Sequence, residues 1–305
     1  MAAAVEAAGR RHEPAAVPWT ERHFRWLLVA PATFVILLVG LFPFVYTLIV
    51  SFQNITMLEE DTSFQGLANY ARLFSDQRFW EAIGHTLLFL AVALPAELLL
   101  GFLLALLFLD KMPGRQVLIA LLVLPVVISP IIAGATWRLL FDNRFGPINQ
   151  ILSWIAGEPV VILWVNNPSF VYPAILLAEI WQWTPFMFLL LWAALNEVDR
   201  SQLESAEIDG ASWLQRLWWI VLPAIRPVVV IALLIRGLDL FRLFDVVWGL
   251  TRGGPGTMTE TVSIYTYVLG FQQFETSYAA AMALVIIVLL SVVVMAALDR
   301  VAIGR

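Results

Sequence analysis

Residues 279–298 read AAAMALVIIVLLSVVVMAAL, an apolar run that contains no charged side chain. A helix of about 20 such residues is long enough to cross the ~30 Å hydrocarbon layer of a bilayer. The rest of the 305-residue chain has the same character, since 61% of all residues are apolar and 13% are charged. Soluble domains carry about twice that share of charged residues. We therefore predict an all-α integral membrane protein whose apolar surface is covered by lipid.

Five further apolar runs predict six transmembrane helices in total. Proline lies within five of the six, and a membrane bundle tolerates this because neighbouring helices satisfy the freed backbone groups. The fifth run has two possible frames: hydropathy alone favours Leu217–Ile235, whereas a later frame, Pro227–Leu250, includes several charges. The other predicted spans are Leu27–Val50, Ile83–Leu109, Val117–Leu140, Tyr172–Leu195 and Ala279–Leu298.

The distribution of Lys and Arg predicts the orientation of these spans. The segments on the N-terminal side of the membrane hold ten of these residues and the opposite segments hold five. The positive-inside rule therefore favours both termini in the cytoplasm. Residues 1–25 would then form a cytoplasmic N-terminal tail, and residues 26–305 the transmembrane domain.

Composition excludes several classes of protein. A net charge of -5 argues against nucleic-acid binding, which needs a basic face. The sequence has no cysteine and only three scattered histidines, so it offers neither a metal cluster nor a thiolate catalyst. The sole lysine, Lys111, follows Asp110 rather than glycine, so the phosphate-binding loop of an ATPase is missing. We therefore expect no cofactor, no metal and no enzymatic activity on this chain.

The loop from Asn196 to Arg216 is the one polar segment longer than a turn on the predicted cytoplasmic side. Small and aliphatic residues recur in it at roughly helical spacing, and Gly210 interrupts them. Because glycine readily adopts a left-handed turn, we predict two short helices that meet at Gly210. Such a helix–turn–helix could dock into another protein, or it could lie in the plane of the membrane interface.

The spacing in this loop resembles the EAA loop of ABC-importer permeases, E-A-A-x3-G-x9-I-x-L-P. Residues 204–223 read ESAEIDGASWLQRLWWIVLP, and Ser205 in place of the middle alanine is the one departure. Four other stretches resemble the carbohydrate-importer branch of that family. They are residues 66–70 (GLANY), 137–141 (WRLLF), 183–186 (WTPF) and 250–255 (LTRGGP).

This resemblance implies a six-helix type I ABC importer permease in the bacterial cytoplasmic (inner) membrane. In that family the EAA loop forms coupling helices that sit in a cleft of the ATP-binding subunit. The implied partners are a second homologous permease, two ATP-binding-cassette ATPases that bind ATP and Mg, and an extracytoplasmic solute-binding protein. The coupling loop covers about residues 196–223. The coupling residues that the family motif implies are Glu204, Ala206, Asp209, Gly210, Ala211, Leu222 and Pro223.

Charged residues at membrane depth mark a candidate solute path. The resemblance places the fifth span near Pro227–Leu250, where four charges from Arg236 to Asp245 alternate in sign every three residues. They form either a salt-bridged ladder that holds the bundle together or contacts for a polyhydroxyl solute. Neighbouring tryptophans in the fourth span either grip a sugar or belong to an interfacial aromatic belt. The candidate path residues are Glu179, Gln182, Trp183, Asp239, Phe241 and Arg242.

Together these features predict a permease subunit that translocates a carbohydrate or related polyhydroxyl solute by alternating access. The exact solute stays open, because similar permeases handle sugars, polyols and glycerol phosphates. The main alternative is an ion-coupled secondary transporter, which would need matched repeats and broken helices in two halves; neither is evident in the sequence. A non-transporting membrane scaffold would explain the helices and prolines but not the spacing of the loop.

Overall fold

The computed structural model describes residues 19–56, 60–110 and 112–303. Most of the predicted tail, residues 1–18, and Lys111 therefore lie outside the described residues. Two short strands, β1 (Gln53–Ile55) and β2 (Glu60–Phe64), pair as an antiparallel hairpin. The helices are α1 Trp19–Ile36, α2 Phe42–Ser51, α3 Ala68–Ser75, α4 Gln77–Leu107, α5 Arg115–Val127, α6 Pro130–Leu140, α7 Pro147–Ala156, α8 Pro168–Asn196, α9 Arg200–Ile208, α10 Trp213–Arg216, α11 Leu222–Phe241, α12 Asp245–Leu250, α13 Val262–Tyr267 and α14 Thr276–Ile303. Within the described ranges, three π-helical turns interrupt the helical runs, at Leu37–Leu41, Leu217–Val221 and Val268–Gln272.

Among the described residues, five helical runs are long and apolar enough to cross a membrane, and a bent pair of helices is a sixth candidate. The first, second, fourth and sixth predicted spans coincide with four of these runs, with differences at their ends. The third predicted span corresponds to the bent pair, and the fifth requires a correction. The five runs are Leu28–Ser51, Gln77–Leu107, Pro168–Asn196, Trp213–Phe241 and Thr276–Ala296.

The second membrane helix, α4, begins at Gln77, earlier than the predicted start at Ile83. Asp76 caps its first turn, because the carboxylate Oδ1 accepts hydrogen bonds from the backbone N–H groups of Arg78 (3.0 Å) and Phe79 (3.4 Å). Hydropathy marks where the apolar side chains begin, whereas the capped polar turn before them is already helical.

The third predicted span, Val117–Leu140, is broken into two helices, α5 and α6, that are bent by 99°. The break lies at Ile128 and Ser129, both of which are extended. A following proline, Pro130, disfavours the helical conformation at Ser129. The carbonyl that the break leaves free at Ile128 accepts a hydrogen bond from Gln182 Nε2 at 2.8 Å, so a side chain of α8 satisfies it.

The fifth span shows that the frame Pro227–Leu250 is wrong. One helical run, Trp213–Phe241, includes α10, a π-helical turn and α11, and the hydropathy frame Leu217–Ile235 lies entirely within it. The chain then leaves the helix for residues 242–244 before α12 begins. Asp245 therefore belongs to a separate helix, and the predicted ladder of charges ends at Arg242.

Pro223 lies inside this helical run, although the family motif implied that it closes the loop and starts the next helix. A proline within a helix cannot donate a backbone hydrogen bond. The π-helical turn just before Pro223 widens the helix, and in it the N–H of Leu222 donates to the carbonyl of Leu217. The coupling loop is consequently continuous with the fifth membrane span.

Two close helix crossings form the centre of the fold. Gly101 of α4 lies so near α8 that a Cβ atom on it would be 2.6 Å from Met187 Cβ. Gly134 of α6 lies equally near α12, since a Cβ there would be 2.6 Å from the carbonyl oxygen of Val246. Small residues allow membrane helices to approach in this way. The segments that follow the two helix breaks, α6 and α12, therefore pack against each other.

Candidate functional site

A buried arginine joins three membrane helices. The guanidinium of Arg236 in α11 donates to both carboxylate oxygens of Glu97 in α4, at 2.8 and 3.0 Å, and also to Glu179 in α8. A fourth hydrogen bond runs from its Nη1 to Asp239 Oδ2 at 2.6 Å. The side chains of Arg236, Glu97 and Glu179 are at most 2% exposed. We call these four residues the Arg236 network.

The Arg236 network contains three carboxylates and one guanidinium, so its formal charge is negative. Removing several charges from water is costly, and mutual attraction offsets that cost only with good geometry and satisfied hydrogen bonds. The indole ring of Trp183 lies under the Arg236 guanidinium, with 4.5 Å between the guanidinium carbon and the ring centroid. This cation–π contact adds stabilisation on a face that makes no hydrogen bond.

A small cavity of about 60 Å³ adjoins the network. Glu179 Oε2, a buried oxygen of a cavity-lining residue, has no hydrogen-bond partner among the described residues. Both helix breaks reach the cavity, because Pro130 of the first break and Phe244 of the second belong to its wall. Broken helices in transporters expose backbone groups where a solute can use them. The lining residues are Pro130, Glu179, Trp183, Asp239, Arg242, Leu243, Phe244, Asp245 and Val246.

The structure brings four of the six candidate path residues together at this cavity: Glu179, Trp183, Asp239 and Arg242. The other two lie elsewhere. Gln182 is buried and donates to the carbonyl at the break of the third span. Phe241 packs against a cluster formed by α3, α4, α13 and α14.

The connection of Glu97 to the other charges is what sequence reasoning missed. Arg236 and Asp239 are three residues apart on one helix, and that spacing predicts their ion pair. Glu97 lies on α4, far away in sequence, and only the packing of α4, α8 and α11 brings it to Arg236. A buried acid in an apolar span signals a partner, but the signal does not identify that partner.

The coupling loop forms the two short helices that the sequence predicted. Helix α9 begins at the N-cap Asp199, α10 begins at the N-cap Ser212, and Gly210 between them has φ = +81°. Ser212 and Gln215 form a reciprocal capping box. An ion pair between Arg216 and Glu207 (2.5 Å) joins the two helices across the turn. The loop thus has several local hydrogen bonds that define its shape.

The surface of this loop is exposed and concave. Among the described residues, α9 has no buried side chain, and Ile208 at its end is 86% exposed. Four of the seven predicted coupling residues, Ala206, Asp209, Gly210 and Ala211, line an open concavity of about 420 Å³. Glu204 is exposed on the same helix. Leu222 and Pro223 lie farther along, within the membrane helix.

A second polar cluster lies at the other end of the molecule, around the start of α4. Arg78 forms a bidentate pair with Glu260 at 2.8 and 2.9 Å. Asp76 accepts hydrogen bonds from the hydroxyls of Tyr265 (2.6 Å) and Tyr278 (2.5 Å). Burial opposes ionisation of Asp76, but these hydroxyls and two backbone N–H groups outweigh it and lower its pKa. The cluster connects α4 with α13 and α14.

Comparison with known proteins gives one family and several close relatives. Residues 66–302 match the family described as binding-protein-dependent transport system inner membrane component. The trehalose/maltose transport system permease protein MalF of Thermococcus litoralis is 34% identical over 249 residues, which are 82% of this chain and 84% of that protein. The trehalose transport system permease protein SugA of Mycobacterium tuberculosis is 34% identical over 267 residues, 87% of this chain and 84% of the relative.

Solved structures agree with this match. A chain of a bacterial alginate ABC transporter, solved in complex with an alginate pentasaccharide-bound periplasmic protein, superposes with a TM-score of 0.79. The two chains are 25% identical, and the match covers 91% of this chain and 94% of the other. The expected ABC-importer permease fold is therefore confirmed.

Proposed function

The chain belongs to the family of binding-protein-dependent transport system inner membrane components, and we propose that it carries a carbohydrate or related polyhydroxyl solute into the cell. It is a multi-pass inner-membrane permease subunit. Its relatives include permease proteins for trehalose, maltose and lactose, which supports a sugar as solute. Family membership argues against both alternatives, the ion-coupled transporter and the scaffold.

The proposed assembly contains this chain, a second homologous permease, two ATP-binding-cassette subunits and an extracytoplasmic solute-binding protein. ATP and Mg would bind to the ATPase subunits, since this sequence lacks their phosphate-binding loop. The concavity around Gly210 is the proposed contact with one ATPase subunit. Glu204 and Asp209 would supply charge-assisted hydrogen bonds there. Both chain termini and this loop would then lie in the cytoplasm.

The observation that carries the proposed coupling role is a continuous helical run, with one π-helical turn in it, that leads from the loop to the cavity. The run Trp213–Phe241 has 29 residues, which corresponds to roughly 43 Å at 1.5 Å per residue. It begins beside the concavity and ends one residue before Arg242, which lines the cavity. Closure of the ATPase subunits would therefore displace one helical run whose other end lies at the proposed solute path.

We assign the solute path to the cavity and its surroundings, with Glu179, Trp183, Asp239 and Arg242 nearest the solute and Gln182 and Phe241 farther away. An indole face and carboxylate acceptors suit a polyhydroxyl solute. The cavity, about 60 Å³, is far smaller than the ~300–1,000 Å³ of pockets that hold small molecules. A sugar would therefore enter only after the two broken helices move apart, as alternating access requires.

Uptake by reconstituted transporter tests the proposal. Proteoliposomes containing the assembled complex are supplied with radiolabelled trehalose, maltose or lactose outside. Uptake should require both ATP inside and the solute-binding protein outside. Uptake driven by a sodium or proton gradient without ATP would refute the ABC mechanism. ATP-dependent uptake of a solute other than a carbohydrate would refute only the choice of solute.

A further inference from the structure

Helix α7 lies between α6 and α8 in the sequence. It precedes the N-terminal end of α8, whereas the coupling loop follows the C-terminal end. One face of this helix is fixed by hydrogen bonds to the segment that follows it. Asn149 donates to the carbonyl of Ile162 (3.0 Å) and accepts from Trp164 Nε1 (2.9 Å). Ser153 Oγ accepts from the N–H of Val160 at 2.8 Å. These bonds determine which side of α7 points away from the protein.

The opposite face of α7 is apolar and uncovered. Ile151, Trp154 and Ile155 are 55%, 84% and 69% exposed; we call them the α7 stripe. No charged side chain occurs between Arg144 and Glu158. Covering apolar surface is favourable by about 25 cal/mol per Å², so a stripe of this kind marks a contact with another apolar surface.

The start of α7 is held close to the ends of two membrane helices. Its N-cap, Gly146, is so near α6 that a Cβ atom there would be 2.5 Å from the carbonyl oxygen of Leu140. The ring of Trp164, which donates to Asn149 near the start of α7, lies 5.0 Å from the ring of Phe141 at the end of α6 and 5.7 Å from that of Phe170 near the start of α8. The start of α7 therefore lies within about one helix diameter, 10–12 Å, of the point where α6 ends.

We propose that α7 lies in the interfacial region of the membrane leaflet at which α6 ends, with the α7 stripe inserted among the lipids. Interfacial helices bury their apolar face about 5–10 Å into the boundary between headgroups and acyl chains. Tryptophan is enriched at that depth because its ring is amphipathic. At the end of α6, close to the start of α7, Leu139 is likewise apolar and 61% exposed. A lipid surface fits it better than a protein partner, whose interface would have a polar rim.

Because the sequence has no cysteine, single labels can test this placement directly. Trp154→Cys and Ile151→Cys each carry one bimane fluorophore, and Glu158→Cys, just beyond the helix, is the matched control. The assembled transporter in nanodiscs is exposed either to lipids brominated near the headgroup or to aqueous iodide. We expect lipid quenching several-fold stronger at 151 and 154 than at 158, and the reverse order with iodide.

Three results would overturn the proposal. Iodide could reach positions 151 and 154 as readily as 158, which would place the stripe in water. Shielding could arise only after the solute-binding protein is added, which would assign the stripe to that protein. Shielding from both quenchers without the binding protein would assign it to a neighbouring subunit. If Trp154→Cys fails to assemble, Ile151→Cys and Ile155→Cys provide the same measurement on the same face.

Discussion

Replacing Arg236 by leucine should strongly destabilise the membrane bundle. The substitution leaves two carboxylates that are at most 2% exposed, those of Glu97 and Glu179, without the guanidinium that binds both. Removing one partner of a buried ion pair costs about 3–5 kcal/mol, because the remaining charge is uncompensated in a medium of low dielectric constant. We expect a loss of at least this size for Arg236→Leu, since two buried acids lose their partner together.

The assay is thermal unfolding of the purified, assembled transporter in detergent. Arg242→Gln is the matched control, because Arg242 carries the same charge six residues away. Its side chain is 68% exposed and lies 3.7 Å from Asp239, and an exposed pair of this kind contributes about 0–1 kcal/mol. Arg236→Leu combined with Glu97→Leu removes one of the two unpaired buried acids. That double variant should recover part of the lost melting temperature.

Asp239 gives the discriminating comparison. Its side chain is 42% exposed, so Arg236→Leu/Asp239→Leu should recover less stability than the double variant that includes Glu97. Equal melting temperatures for Arg236→Leu and Arg242→Gln would refute the reasoning. Full recovery of the melting temperature in Arg236→Leu/Asp239→Leu would also refute it. The ion pair between Arg236 and Asp239 within α11 would then contribute more stability than the ion pairs that join α11 to α4 and α8. Asp239→Asn itself should change transport more than stability.

Three further predictions concern other parts of the chain. Gly210→Leu and Glu204→Lys should insert normally but lose most ATP-dependent uptake. Glu204→Lys reverses an exposed charge on the proposed docking surface, whereas Gly210→Leu both adds bulk there and strains the turn, because Gly210 has φ = +81°. Normal uptake by both variants at normal expression would contradict the assignment. A reporter active only in the periplasm should give a strong signal near Asp61 and none after Arg305, which lies outside the described residues; the reverse pattern would refute cytoplasmic termini. The lowered pKa of Asp76 contributes stability above its unfolded pKa of about 3.9. That contribution is lost as the pH falls below 4, so the difference in melting temperature between wild type and Asp76→Asn should shrink on acidification, and a difference independent of pH would contradict it.

The sequence predicted the spans well where one continuous apolar run determines them. The sequence located the helix breaks less well, because a proline only permits a break in a helix. Packing against other helices decides whether the break forms. Pro95 lies inside the continuous helix α4, whereas Pro130 starts a new helix after a 99° bend. Close contact between α6 and α12 at Gly134 favours the bent arrangement, and no pattern within either segment reveals that contact.

The same distinction between local and distant contacts applies to the site. The turn at Gly210 depends on residues a few positions apart, and the structure confirms it. Arg236 and Asp239 are also close in sequence and form an ion pair, as expected of the ladder, which was one of the two alternatives that the sequence left open. The ladder through Asp245 failed because the helix ends after Phe241. Residue type and spacing showed that the acids at membrane depth needed partners. Only the arrangement of α4, α8 and α11 determined that Glu97 and Glu179 share one arginine.

This arrangement also bears on how movement of the coupling loop would reach the solute path. Arg236 holds α11 to α4 and α8 shortly before the helix ends, while the first part of the same run extends to the loop. A helical run that is held near one end would turn about that point when its other end is displaced. The residues just beyond the Arg236 network are non-helical, and they reach the cavity at Leu243 and Phe244. We therefore expect a displacement of the loop to change the cavity wall at this break, while the buried ion pairs themselves stay intact. On this proposal, the buried network would act as the fixed point and the helix break within one turn of it as the part that moves.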